Sequence, residues 1–160
     1  MSRVGSEDET LVPIPPAPAY PTPRPAMTSN LGGDEVANGS TSTPTPIGLG
    51  QTVHGRLQEG DTPLADGSVA DDYVFVAPAG VAIHVELHGG ELTGQPGSHM
   101  DMYLHLLHEG AEITHDDDGG GNLDSLIETT LPASGAYVLR VTTFGSGIRA
   151  GAYTLVLRQQ

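Results

Sequence analysis

The sequence predicts an all-β protein, an antiparallel β-sandwich of about eight strands preceded by a proline-rich extended tail. Three observations carry this. From Ile47 onward, short apolar runs recur at regular spacing with Gly, Pro, Asn and Asp between them. Several of those runs alternate apolar and polar residues, the period of a strand with one wet face. No window sustains a helical period with capping residues.

At 160 residues the chain has room for one core and a remainder. The remainder is residues 1–46, which hold nine of the 13 prolines, seven of them in 11–27 (LVPIPPAPAYPTPRPAM). Proline removes a backbone donor and biases its predecessor toward extended geometry. Residues 11–27 therefore read as a semi-rigid spacer, and 28–46, rich in Gly, Ser, Thr and Asn, as flexible linker. A docking peptide for a proline-reading domain is the functional alternative. The globular unit is expected over 47–160.

Its strands are expected in order at 52–57, 72–77 (DYVFVA), 81–88, 102–108, 111–115, 125–131, 136–143 and 152–158. The third alternates cleanly, with Val81, Ile83, Val85 and Leu87 on one face and Ala82, His84, Glu86 and His88 on the other. Pro78-Ala79-Gly80, Pro132-Ala133-Ser134-Gly135 and Phe144-Gly145-Ser146-Gly147 supply turns. Aromatics are few, so the core is expected to be Val, Leu and Ile around Tyr73, Phe75, Tyr103, Tyr137 and Tyr153.

Twenty acids against six bases, all of them Arg, give a net charge of −14. This argues against nucleic acid and anionic membrane, which need basic patches, and favours a cation or a basic partner. The absence of Cys excludes disulfides and thiolate metal sites. No apolar run approaches the ~20 residues that span a bilayer, so no membrane insertion is expected. The N-terminus also lacks the basic and apolar regions of a signal peptide.

The densest charge is in 116–125 (DDDGGGNLDS), with Asp116, Asp117, Asp118 and Asp124 in an otherwise Gly-rich loop. Calcium takes six to eight oxygen ligands from carboxylates, carbonyls and water. Clustered Asp and conformationally free Gly offer both kinds. The expected calcium ligands are Asp101, Asp116, Asp117, Asp118, Asp124 and one of Asp71 or Asp72, with Asp72 preferred. In an extended segment 116 and 118 face together and 117 opposes, so one or two of the three are expected to bind. Asp124 has a rival task, bonding loop amides at a strand start. An EF-hand starting at Asp117 would place Glu128 twelfth, but Gly occupies its third and fifth positions and Asn122 its sixth, which excludes it. The nonapeptide calcium repeat fits 119–127 apart from Asn122, in a single copy where that fold needs tandem copies.

Six of the seven histidines fall between 84 and 115. His84, Glu86 and His88, at i, i+2 and i+4 of one strand, have the spacing of a zinc or copper site, or form an ordinary polar face. No catalytic residues are expected. There is no G-x-S-x-G elbow, no H-E-x-x-H and no Cys nucleophile; Ser125 beside Asp124 has no His at a fixed offset; and nothing pairs any two of Glu86, Glu91, Glu109 and Glu112.

Several stretches carry a family likeness. Gly55-Arg56-Leu57…Gly60-Asp61, Asp71-Asp72-Tyr73-Val74-Phe75 and Ala79-Gly80 resemble the opening of the bacterial pre-peptidase C-terminal domain. Asp101-Met102-Tyr103-Leu104-His105-Leu106, Asp116-Asp117-Asp118-Gly119-Gly120, Leu123-Asp124-Ser125-Leu126-Ile127, Leu131-Pro132-Ala133-Ser134-Gly135-Ala136-Tyr137 and Gly151-Ala152-Tyr153-Thr154-Leu155 resemble its continuation. The likeness covers about 49–158. It implies a jelly-roll-like sandwich, similar to the calcium-binding collagen-binding domains of clostridial collagenases. It also implies a non-catalytic accessory module of a secreted or cell-surface bacterial protein. Such modules usually follow an exported enzyme, whereas only the proline-rich stretch precedes this one.

The leading expectation is therefore an extracellular binding module, calcium-stabilised, that anchors or targets a secreted protein to a polymer, a surface or a protein partner, possibly a fused or associated secreted enzyme. The alternatives are a structural subunit of a surface assembly, filament or larger complex tethered by its tail, and a stabiliser of a fused enzyme.

Overall fold

The computed structural model describes residues 43–160, and the tail expected over 1–46 lies outside the described residues up to position 42. The strands are β1 (Thr45–Pro46), β2 (Thr52–Leu57), β3 (Thr62–Pro63), β4 (Val69–Ala77), β5 (Ala82–Leu92), β6 (Met102–His108), β7 (Ala111–Asp116), β8 (Ser125–Thr130), β9 (Gly135–Thr143) and β10 (Gly151–Gln159). Eight of them are the expected strands, several running further than the sequence pattern indicated. Among the described residues no helix is long and apolar enough to cross a membrane.

Two sheets face each other. One has the order β2-β10-β5-β8, the other β1-β4-β9-β6-β7 with β3 on β4. Most successive strands change sheet, the connectivity of a jelly-roll-like sandwich. Every pairing is antiparallel except β1 with β4. Thr45 and Pro46, inside the stretch read as linker, pair with Tyr73 and Val74, and the Ile47 amide donates to the Val74 carbonyl at 2.9 Å. A two-residue pairing carries no periodicity, so its existence depends on partners distant in sequence.

Strand alternation builds the core. Tyr73, Phe75, Leu104, Leu106, Leu139 and Val141 point inward from one sheet and Ile83, Val85, Leu87, Leu155 and Leu157 from the other. A fully buried Leu or Ile contributes roughly 1.5–3 kcal/mol. Tyr73, Phe75, Tyr137 and Tyr153 are buried as expected. Tyr103 is not a core residue: it is half-buried on the outward face of β6, because its neighbours Met102 and Leu104 take the inward positions.

The core also holds polar groups, and they are bonded. The Tyr153 hydroxyl donates to Asp71 at 2.6 Å and lies 2.5 Å from the Tyr73 hydroxyl, linking the two sheets through the interior. Burial raises both phenol pKa values, so both rings stay neutral. The Tyr137 hydroxyl donates back to the Ala133 carbonyl at 2.6 Å, closing the corner into β9.

Strand directions define the two ends of the sandwich. At one end lie the connections 58–68, 93–101, 117–124 and 144–150; at the other lie 47–51, 78–81, 109–110 and 131–134. The acidic loop belongs to the first, which is called the acidic end below.

Candidate metal sites

The acidic loop is a tight turn between β7 and β8. The Gly120 amide donates to the Asp124 carbonyl at 2.9 Å, and Gly121 and Asp124 form an isolated bridge. Gly121, Asn122 and Leu123 are all left-handed, with φ of 79°, 54° and 69°. For Leu123 that conformation is costly, on the order of 1 kcal/mol. Gly119 is required sterically, since a Cβ there would sit 2.7 Å from the Asp116 carboxylate.

The six expected ligands divide into two groups. Three are engaged with protein partners. Asp116 Oδ2 accepts from the amides of Gly119 (2.7 Å) and Leu126 (2.8 Å), so this carboxylate holds the turn itself. Asp124 accepts from the Gly89 amide at 3.0 Å and faces His88 at 2.9 Å and His99 at 3.3 Å. Burial raises the Asp124 carboxyl, but these bonds outweigh it and its pKa falls below the ordinary value. Asp72 forms a two-pronged pair with Arg140, its direct cross-strand partner, with both contacts at 2.8 Å. Asp71, the alternative to Asp72, is buried against Tyr153.

The other three, Asp101, Asp117 and Asp118, gather at the acidic end. Burial raises the Asp101 pKa, the negative charges of Asp118 and Asp117 raise it further, and Arg149 opposes them. The strand parity expected for 116–118 does not extend through the turn, because the chain leaves β7 at Asp116 and both following carboxylates act on Asp101. Oxygen-only donors on adjacent loops fit calcium in kind.

The histidines form two further clusters. On the outer face of β5, His84 faces Glu128 at 2.7 Å and Glu86 at 2.5 Å, and Glu86 in turn faces His88 at 3.0 Å. With Asp124 and His99 this makes a line of alternating acids and imidazoles. Both ring nitrogens of His84 and of His88 face carboxylates, an arrangement that only the imidazolium satisfies with two donors. The bonds from Glu86 and Glu128 raise the His84 pKa, and those from Asp124 and Glu86 raise that of His88. The same contacts, His84 first, lower Glu86.

The second cluster is one the sequence reading did not assemble. His105, Glu112 and His115 bring one ligand atom each within 4.8 Å of one another, and no other group of three among the described residues does so. Glu112 Oε2 lies 2.7 Å from His105 Nδ1, and Oε1 lies 2.6 Å from His115 Nδ1. These two bonds, His105 first, hold the Glu112 carboxyl below its ordinary pKa. The available signal was the Glu109-Gly110 hairpin turn, which folds 105 back toward 112–115.

The acidic end also exposes apolar side chains. Leu123 (39%), Phe144 (48%) and Ile148 (50%) lie on its loops, three of the five large hydrophobic residues exposed among the described residues. Two are tied directly to the Asp101 region: the Phe144 amide donates to the Asp101 carbonyl, and the Met102 amide to the Leu123 carbonyl, each at 2.9 Å.

Among solved structures, the chain is similar to the pre-peptidase C-terminal domain of a collagenase from Bacillus anthracis, with 21% identity over 74% of this chain and 97% of that one and a TM-score of 0.49. It is also similar to PliG of Aeromonas hydrophila, a periplasmic lysozyme inhibitor of g-type lysozyme, with 20% identity over 74% of this chain and 96% of that one and a TM-score of 0.52. PliG of Salmonella Typhimurium is 19% identical over 72% of this chain and 98% of its own, with a TM-score of 0.43. No curated protein matches the sequence significantly. The family model for the bacterial pre-peptidase C-terminal domain matches residues 69–143, the span from β4 through β9 that contains the acidic loop. Residues 69–143 of the chain are thus identified as matching a bacterial pre-peptidase C-terminal domain.

Proposed function

We propose that this domain is a non-catalytic binding module of an exported protein, working outside the cytoplasm, and that it meets its partner at the acidic end. The carrying observation is the exposure of Leu123, Phe144 and Ile148 at the same end of the sandwich as Asp101, Asp117 and Asp118. Apolar side chains rimmed by charge are the composition of a contact surface. The negative rim favours a basic or cation-bridged partner. The match of residues 69–143 to a family of accessory domains supports the non-catalytic reading, and the periplasmic inhibitor from Aeromonas hydrophila that shares the fold is in keeping with a protein partner.

Calcium belongs to the same proposal. Asp101, Asp117 and Asp118 would hold it, and the ion would offset both the burial that chiefly raises Asp101 and the repulsion from Asp118 and Asp117 that adds to it. Asp72, Asp116 and Asp124 are left out of this ligand set, since each is engaged by protein donors.

Retention of the full chain on insoluble collagen, chitin and cellulose, with calcium and with chelator, tests the binding reading. Retention on one of them, lost in the Phe144→Ser/Ile148→Ser double variant, is the expected result. Folded protein that passes all three supports freely counts against anchoring to a polymer. Calcium is tested by melting: a ligand held only by the native state, at about 100 times its Kd, adds about 2.7 kcal/mol. Identical curves with calcium and chelator, or a shift unchanged in Asp101→Asn/Asp118→Asn, would remove calcium from the reading.

A further inference from the structure

We propose that His105, Glu112 and His115 form a second metal site, separate from the acidic loop and built for a divalent transition metal of the zinc class. The argument starts from the hairpin. Glu109 and Gly110 both have positive φ (50° and 79°) and join β6 to β7 in a two-residue turn closed by His108 and Ala111. Continued without interruption, that register would set His105 opposite Thr114 and His115 opposite the core residue Leu104. The register instead shifts by one residue, with Leu107 opposite Glu112 but Leu106 opposite Thr114, leaving Ile113 as the extra residue of a bulge. Beyond it His105 lies directly opposite His115. Because Leu107 and His105 share the outward face of β6, Glu112 and His115 share it too. The bulge thus converts a scattered His, Glu and His into three side chains around one point.

The convergence is close. Both imidazoles aim Nδ1 at one carboxylate, at 2.7 and 2.6 Å. An ion bound at about 2.0–2.2 Å from each donor needs only a small opening of that cluster. Two imidazoles and one carboxylate are the donors of zinc-class sites, while calcium takes oxygen. The rings are buttressed, since Tyr103 packs 4.1 Å from His105 and edge-on to His115 at 5.5 Å, with Phe144 behind it at 5.7 Å. The His105 side chain is 17% exposed, whereas Glu112 (44%) and His115 (51%) leave the outer side open to a water or exogenous ligand. The nearest strand-paired cation, Arg140, has its guanidinium engaged by Asp72. Bound metal would pin β7, the edge strand of its sheet, to β6.

Titration of the chelator-stripped full chain with zinc chloride by calorimetry, and with cobalt chloride by visible absorption, tests the site. One zinc per chain is expected, with His105→Ala and His115→Ala each weakening it on the order of a hundredfold. Glu112→Gln, which keeps the side chain's size, should weaken it by a smaller factor. His84→Ala/His88→Ala should bind zinc as the parent does, and millimolar calcium should not displace the metal. Absence of a binding isotherm, loss of zinc in the His84/His88 variant, or displacement by calcium would each overturn the assignment.

Discussion

The two outer faces of the sandwich use the same residue types to different ends. On β5, His84, Glu86 and His88 follow one another along a regular strand, and the result is a line in which Glu86 bridges the two rings. On β6 and β7, His105, Glu112 and His115 surround a point. Along one strand, side chains two residues apart project in parallel, so their tips form a row. Opposite residues of two strands lean toward each other, and a bulge tightens the approach. A row suits a chain of hydrogen bonds and a point suits an ion.

Inserting one alanine between Thr114 and His115 is the sharpest way to break the contrast. The extra residue carries His115 one position along β7, opposite Leu104 and onto the inward face, and zinc affinity should fall on the order of a hundredfold or more. Calorimetry reads that loss, and NMR titration of His84 and His88 should be unchanged.

The pH dependence of stability separates the faces with a smaller effect. His84 and His88 have folded pKa values raised above the ordinary 6.5. They therefore stabilise the fold fully below about 6.5, and that contribution is lost as the pH rises through the folded values. Glu86 and Asp124 are lowered from 4.5 and 3.8, so their contribution is present above those values and lost as the pH falls through the folded ones. The line on β5 should be strongest from about pH 4.5 to 6.5. Chemical denaturation across pH 3–9, in the parent and in His84→Ala/His88→Ala, checks this: the parent's alkaline loss should shrink in the variant.

Glu86→Gln has the smallest expected effect. Glu86 and its partners are partly exposed, and solvent screening limits such pairs to about 0.2–1 kcal/mol. Denaturation at pH 6 measures it, and the His84 and His88 pKa values should fall together, since one carboxylate serves both.

Much of the fold was legible because the signals for strands are local. The alternation at 81–88 and the Gly and Pro turns placed all eight longer strands. β1 and β3, at two residues each, carry no such pattern. The site was less legible because the commitments of its carboxylates are set by distant partners. Asp72 reads as a free acid until β4 pairs with β9 and brings Arg140 beside it. Asp124 reads either as a loop ligand or as an acceptor for backbone amides, and its partners His88 and the Gly89 amide come into view only when β8 lies against β5. The unpaired Ile113 is hidden in the same way, since a bulge leaves composition and alternation nearly unchanged.

The direction of β1 has a consequence for how force and signal would pass through the module. β1 runs parallel to β4, so the chain comes into the domain from the acidic end, while β10 leaves at the opposite one. β1 thus begins toward the same end of the sandwich as the acidic loop, at the sheet edge opposite β7. Tension applied along a segment joined ahead of Thr45 would load the β1–β4 pairing in shear, across its hydrogen bonds, a geometry that resists peeling.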